Sequence, residues 1–235
     1  MGAFHRGSPT RDLNTLDLKL VSNTAFSAIQ SYIESRTDLP ESLTVARDDA
    51  AEYSLSIPDD STGRLLTTLT AASAHPDSAG AVAITPAAAV VGLYILAGLE
   101  GKTTVTCIDP EADYQNRAKA TFREAGYPSS RARFLPSRPS DVISRLAAGS
   151  YQLVYVDAPS VELPTLVPEA YTLLTPGGTL VIPDALLDGT LADETRRDRD
   201  TEAAREVDQL VEAFDQAIVT RLPLGAGLTL VTRKA

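Results

Sequence analysis

The chain has 235 residues, of which 31 are acidic and 21 basic, giving a net charge of −10. That balance argues against nucleic acid as a partner, because phosphates need a concentrated basic surface, and it disfavours anionic membranes. Hydrophobic residues at 43 % and charged residues at 22 % suit a soluble globular protein, and no apolar run approaches the roughly 18 residues of a membrane span.

The first segment, Met1 to about Asp12, is polar and reads as a frayed end, with no signal-peptide pattern. Leu13, Leu16 and Leu20, then Phe26, Ile29 and Ile33, recur at helical spacing and stop before Pro40. This face is expected either to pack on the core or to form a homodimer. Ser42–Tyr53 is a second helix. Ile57–Ser61 reads as a loop and cap, followed by a helix with Leu65, Leu66, Leu69 and Ala72 as its stripe. From Gly80 the pattern alternates. Strands are expected at Ala81–Ile84, Thr103–Ile108, Ala132–Leu135, Gln152–Val156 and Thr179–Ile182. Helices are expected at Asp113–Ala125 (Tyr114, Ala118, Phe122 and Ala125 inward), Pro139–Ala147, Leu163–Leu174 and Thr195–Ala213 (Ala203, Val207, Leu210 and Phe214 inward). Such alternation predicts a mostly parallel, doubly wound α/β sheet. Ala217–Leu222 and Leu228–Arg233 close it as a hairpin, so the last strand is antiparallel. The domain reading is a helical extension over residues 1–56 and an α/β domain over 57–235.

In open α/β sheets, ligands bind beyond the carboxyl ends of the strands. This rule selects Thr85–Ala89, Asp109, Pro136–Arg138, Asp157 and Pro183–Asp184. Asp109 ends an apolar strand about 20 residues past the first turn, where an acid accepts hydrogen bonds from ribose hydroxyls. Asp157 ends the strand LVYV and could touch substrate, cofactor or a metal; Asp184 is a second weak metal candidate. The first turn, Thr85-Pro86-Ala87-Ala88-Ala89, has no glycine. Neither a G-x-S-x-G elbow nor a P-loop lysine is present. The single cysteine, Cys107, reads as a core residue, permits no internal disulfide and suits a reducing cytoplasm.

Four segments, AGYPSSRARF, YQLVYVDAPS, YTLLTPGGTLVIPDALLDG and LPLGAGLTLVTRK, carry a family likeness. From about Ile57 to Lys234 the chain resembles class I S-adenosylmethionine-dependent methyltransferases. It is most similar to the catechol/caffeoyl-CoA-type O-methyltransferases and their small actinobacterial relatives. The resemblance implies a seven-stranded Rossmann-like sheet, S-adenosylmethionine as cofactor, and methyl transfer to an oxygen of a small molecule. It assigns the ribose to Asp109 with Pro110 beside it, the adenine border to Ser137 and Arg138, and the reacting centre to Asp157. The family's acid and three glycines fall on Ala83, Thr85, Ala87 and Ala89. Its metal pair falls on Pro183 and Asp184, and its lysine base on Ser160, so no metal is expected. These departures leave a second expectation, a catalytically inactive binding protein on the same fold. A nicotinamide-dependent enzyme is a weaker third reading.

Overall fold

The computed structural model describes residues 15–36 and 38–235. Helix α1 (Thr15–Ser35) lies in one compact unit, which ends at Asp38; Leu39–Ala235 form the second. The second unit thus starts upstream of the expected Ile57. On α1, Phe26, Ile29, Tyr32 and Ile33 are exposed, by 40 to 64 %. The expected frayed end and Leu13 lie outside the described residues, as do the side chains of Leu16 and Leu20.

The second unit runs α2 (Glu41–Glu52), α3 (Asp60–Ala72), β1 (Gly80–Ile84), α4 (Ala88–Gly98), β2 (Thr104–Ile108), α5 (Ala112–Glu124), β3 (Ala132–Leu135), α6 (Pro139–Val142), β4 (Tyr151–Val156), α7 (Leu163–Thr172), β5 (Leu174–Ile182), α8 (Arg199–Glu212), β6 (Ala217–Leu222) and β7 (Leu228–Arg233). The sheet order is β3-β2-β1-β4-β5-β7-β6. Strand β7 is antiparallel to both its neighbours, β5 and β6, and the other described strand pairs are parallel. The order reverses between β1 and β4, so the chain leaves the sheet in opposite directions there and opens a crevice.

Two apolar layers cover the sheet. Ala81, Ala83, Cys107, Leu153 and Tyr155 pack with residues of α2, α3, α4 and α5. Val82, Ile84, Val154, Val156 and Ile182 pack with residues of α7 and α8. Helix α4 is apolar all round because the sheet lies on one side and α2, α3 and α5 close the others. Its Gly92 leaves room for the ring of Phe122 on α5, a space any side chain would fill.

Several expected details shift for local reasons. On α3 the buried line is Thr62, Gly63, Leu66 and Thr70, whereas Ala72 is exposed. On α5 Gln115 is buried rather than Tyr114, because its amide donates to the carbonyls of Cys107, Asp109 and Leu135. Helix α6 ends at Val142 and continues as a 3-10 turn to Arg145. Strand β5 starts at Leu174, which pairs with Tyr151. Helix α8 starts at Arg199, because the Asp198 carboxylate accepts the Thr201 N–H at 3.0 Å and caps it there. On that helix Val211 is fully buried and Leu210 only partly so.

Candidate active site

The ends of the central strands are laced together. The Asp157 N–H donates to the Ile84 carbonyl at 2.8 Å, the Thr85 N–H to the Ile108 carbonyl at 3.3 Å, and the Asp109 N–H to the Leu135 carbonyl at 3.4 Å. This sets Thr85, Asp109 and Asp157 along one rim. The glycine-free turn follows an ordinary backbone path. Ala87 has φ −88°, and no residue from Thr85 to Ala89 has positive φ, so the turn needs no glycine to fold. The Thr85 hydroxyl organises it instead. It accepts the Ala87 N–H at 3.1 Å and donates to Asp157 Oδ2 at 2.8 Å.

A cleft of about 580 Å³ opens on this rim. Thr85, Pro86, Asp109, Pro110, Arg138 and Asp157 line it, together with Pro139, Ser140, Pro159, Val161, Glu162 and Thr165, which sequence reasoning missed. The remaining expected cofactor positions lie elsewhere. Ala83 sits within β1, fully buried between Cys107 and Tyr155 of the neighbouring strands. Ala87 is buried at the start of α4, and Ala89 packs against the same core. Ser137 donates its N–H to the Leu135 carbonyl and does not line the cleft, where Ser140 is found.

A second, smaller pocket of about 40 Å³ meets Asp157 from its other side. Three segments build it: Ser56–Asp59 with Thr62, Pro183–Asp184 at the end of β5, and Leu224–Gly225 with Leu228 between β6 and β7. Arg47 secures the first segment by donating to the Pro58 carbonyl at 3.0 Å and pairing with Asp60 at 3.3 Å. Asp184 secures the others, since its Oδ1 accepts the Ala226 N–H at 2.9 Å. Tyr155 also lines the pocket. Its place in an apolar strand gave no sign of this, although a polar hydroxyl on a buried strand was the available signal.

The donor set does not fit a divalent metal. Hard cations need several oxygen ligands. Asp157 and Asp184 each already have one oxygen committed to a protein donor, and Pro183 has no side-chain ligand atom. Among the described residues, no group of three or more His, Cys, Asp or Glu could hold a metal ion.

The carboxyl groups of Asp157 and Asp109 both have pKa values raised above the ordinary carboxylate value. Burial pushes the Asp157 pKa up; the Thr85 hydrogen bond opposes this, and the charges of Asp184 and Asp109 add to it. Burial also raises Asp109, against the pull of the Glu111 N–H. Burial, with Asp157 and Asp184 nearby, drives Tyr155 well above its ordinary range, so its hydroxyl stays protonated. A carboxyl raised in the native state costs stability when ionised, and that cost is relieved as pH falls through its native pKa toward the unfolded value near about 3.9. Asp157→Asn is therefore expected to raise the melting temperature at neutral pH, on the order of 2–4 °C, and to flatten its dependence on pH. A lower melting temperature in a scan against wild type would contradict this.

A doubly wound sheet with a ligand cleft at its point of reversal defines a Rossmann-like α/β protein. Within that class the chain belongs to the O-methyltransferase family, which it matches over residues 92–234. A Mycobacterium avium relative bearing an O-methyltransferase name is 33 % identical over 220 residues, covering 92 % of this chain and 98 % of its own. A Corynebacterium glutamicum protein of known structure is 56 % identical, with TM-score 0.88, covering 90 % of this chain and 98 % of its own. The Streptomyces achromogenes O-methyltransferase of tomaymycin synthesis, solved with S-adenosylmethionine bound, shares the fold at TM-score 0.78 and 19 % identity, covering 88 % and 96 %. Among the described residues, no helix is long and apolar enough to cross a membrane.

Proposed function

We propose that this chain transfers a methyl group from S-adenosylmethionine to a hydroxyl oxygen of a small molecule. The observation that carries this reading is the shared position of Asp157, which lines both the large cleft and the small pocket. A cofactor in the large cleft and the hydroxyl end of an acceptor reaching into the small pocket would meet at that carboxylate. The large cleft suits the cofactor. Asp109 is 8 % exposed, and its Oδ1 accepts the Glu111 N–H at 2.8 Å, which fixes the carboxylate for the two ribose hydroxyls. Pro110 and Arg138 would border the adenine. Bound there, the cofactor supplies an electrophilic methyl group on a sulfonium.

The protein's own part is positioning and proton handling. Asp157 would take the proton of the acceptor hydroxyl as the oxygen attacks. Its burial raises its basicity toward the working range of a general base. The protonated Tyr155 hydroxyl would hold the acceptor from the opposite wall. No step runs through a metal. A cytoplasmic location and a homodimer using the exposed apolar residues of α1 complete the proposal, supported by the single buried Cys107 and by Phe26, Ile29, Tyr32 and Ile33.

S-adenosylhomocysteine tests the reading. At a hundred times its dissociation constant it should add about 2.7 kcal/mol of stability, which for a domain of this size raises the melting temperature by roughly 5–10 °C. No shift at millimolar ligand would overturn the assignment.

A further inference from the structure

The resemblance aligns Thr85 with a glycine of a cofactor motif, yet its side chain does something that no glycine could. The residue is 1 % exposed. Its hydroxyl oxygen accepts the Ala87 N–H at 3.1 Å, so its single proton is directed away from that amide, onto Asp157 Oδ2 at 2.8 Å. The chain Ala87 N–H, Thr85 O–H, Asp157 carboxylate thus runs in one direction. It ties the first turn of α4 to the end of β4 across the crevice. Among the described residues, the other Asp157 oxygen has no protein donor.

We propose that Thr85 is a positioning residue that acts through Asp157: its hydroxyl fixes one carboxylate oxygen and leaves the other to meet the acceptor. This inference rests on the reading of Asp157 as the group that receives the acceptor's proton. The role also accounts for the glycine-free motif. A glycine would open space for the cofactor but leave Asp157 without its donor, and Thr85 instead spends that space on the carboxylate.

The other charged or titratable groups around Asp157 are Asp109 after β2, Arg138 before α6, Glu162 before α7, Asp59 before α3, Tyr155 on β4 and Asp184 after β5. Among the described residues none of them donates a hydrogen bond to the Asp157 side chain, and the Thr85 hydroxyl is its direct donor. Removing a donor from the ionised form raises a carboxyl's pKa.

The test needs no identified acceptor. The full-length protein is labelled with 13C-aspartate, and the Asp157 carboxyl signal is identified by its loss in Asp157→Asn. Its titration midpoint is then followed in wild type, Thr85→Val and Thr85→Ser, with affinity for S-adenosylhomocysteine measured by calorimetry in parallel. Thr85→Val should raise the midpoint by about one pH unit. Thr85→Ser should restore it. Thr85→Ala, smaller and also without the hydroxyl, repeats the measurement if valine does not fold. An unchanged midpoint in the hydroxyl-free variants overturns the proposal. So does a tenfold or greater loss of affinity without a midpoint change, which would make Thr85 a cofactor contact. If wild type binds no S-adenosylhomocysteine, the functional reading fails while the midpoint still decides the hydrogen-bond chain.

Discussion

Asp109→Ala is expected to weaken S-adenosylhomocysteine binding by roughly 100-fold, measured by calorimetry, while leaving the fold intact. Two lines of geometry lead there. The carboxylate is buried, and among the described residues its one side-chain hydrogen-bond partner is the Glu111 N–H. Its remaining lone pairs face a cleft of the right kind for a nucleoside. Hydrogen bonds to a charged group contribute about 1.5–3 kcal/mol each, and about 1.4 kcal/mol is a tenfold change in affinity. Two ribose hydroxyls lost together therefore cost at least that hundredfold. Stability moves the other way. Burial raises the Asp109 pKa, so ionisation at neutral pH works against folding, and the variant should melt no lower than wild type without ligand. Affinity within threefold of wild type would remove Asp109 from the site.

Gly80→Ala is expected to be the most damaging small change to the fold. Gly80 opens the central strand with φ +109°, a region that residues with a Cβ rarely adopt. It pairs with Thr104 on one side and Tyr151 on the other. A Cβ there would collide with the Thr104 carbonyl oxygen and lie 2.7 Å from the Thr104 nitrogen, so β1 or β2 would have to move. Backbone strain combined with overpacking in a core costs about 3–5 kcal/mol. For a domain of this size that lowers the melting temperature by roughly 10 °C or more. A loss below about 1 kcal/mol in urea denaturation would show that the strand start tolerates a side chain.

The two predictions rest on features of unequal visibility in the sequence. The carboxylates were legible, because Asp109 and Asp157 each follow a short apolar strand and the topology of α/β sheets sends strand ends to the crevice. The strand limits for β1 to β4 were legible to within one residue for the same reason: aliphatic runs with polar flanks leave little choice. Strand β5 was read too short, since Leu174-Thr-Pro-Gly-Gly looks like a helix end and turn and becomes strand only by pairing with Tyr151. Gln115 was not among the inward residues expected of α5, because a polar side chain adds nothing to an apolar stripe; the carbonyls of Cys107 and Asp109 at the end of β2 and of Leu135 at the end of β3 accept its amide. Ala83 and Ala87 are buried and Ala89 packs, partly buried, against the same core, a placement that strand pleat and helix packing decide and that positions along a motif do not give. The role of the Thr85 hydroxyl was the least legible, because it depends on a contact across 72 residues of sequence.

The small pocket has a different kind of future from the large cleft. Its walls come from three surface connections: one before α3, one after β5 and one between β6 and β7. Apart from Asp157, none of the residues they contribute also lines the large cleft. Loops of this sort accept substitutions that the sheet does not. If the small pocket receives the acceptor as proposed, its shape and polarity can be rewritten by exchanging short peptides without changing the lining of the large cleft, with Asp157 shared by both. Swapping Ser56–Asp59 or Leu224–Gly225 for the corresponding segments of a homologue would be the direct route to an enzyme with a new acceptor.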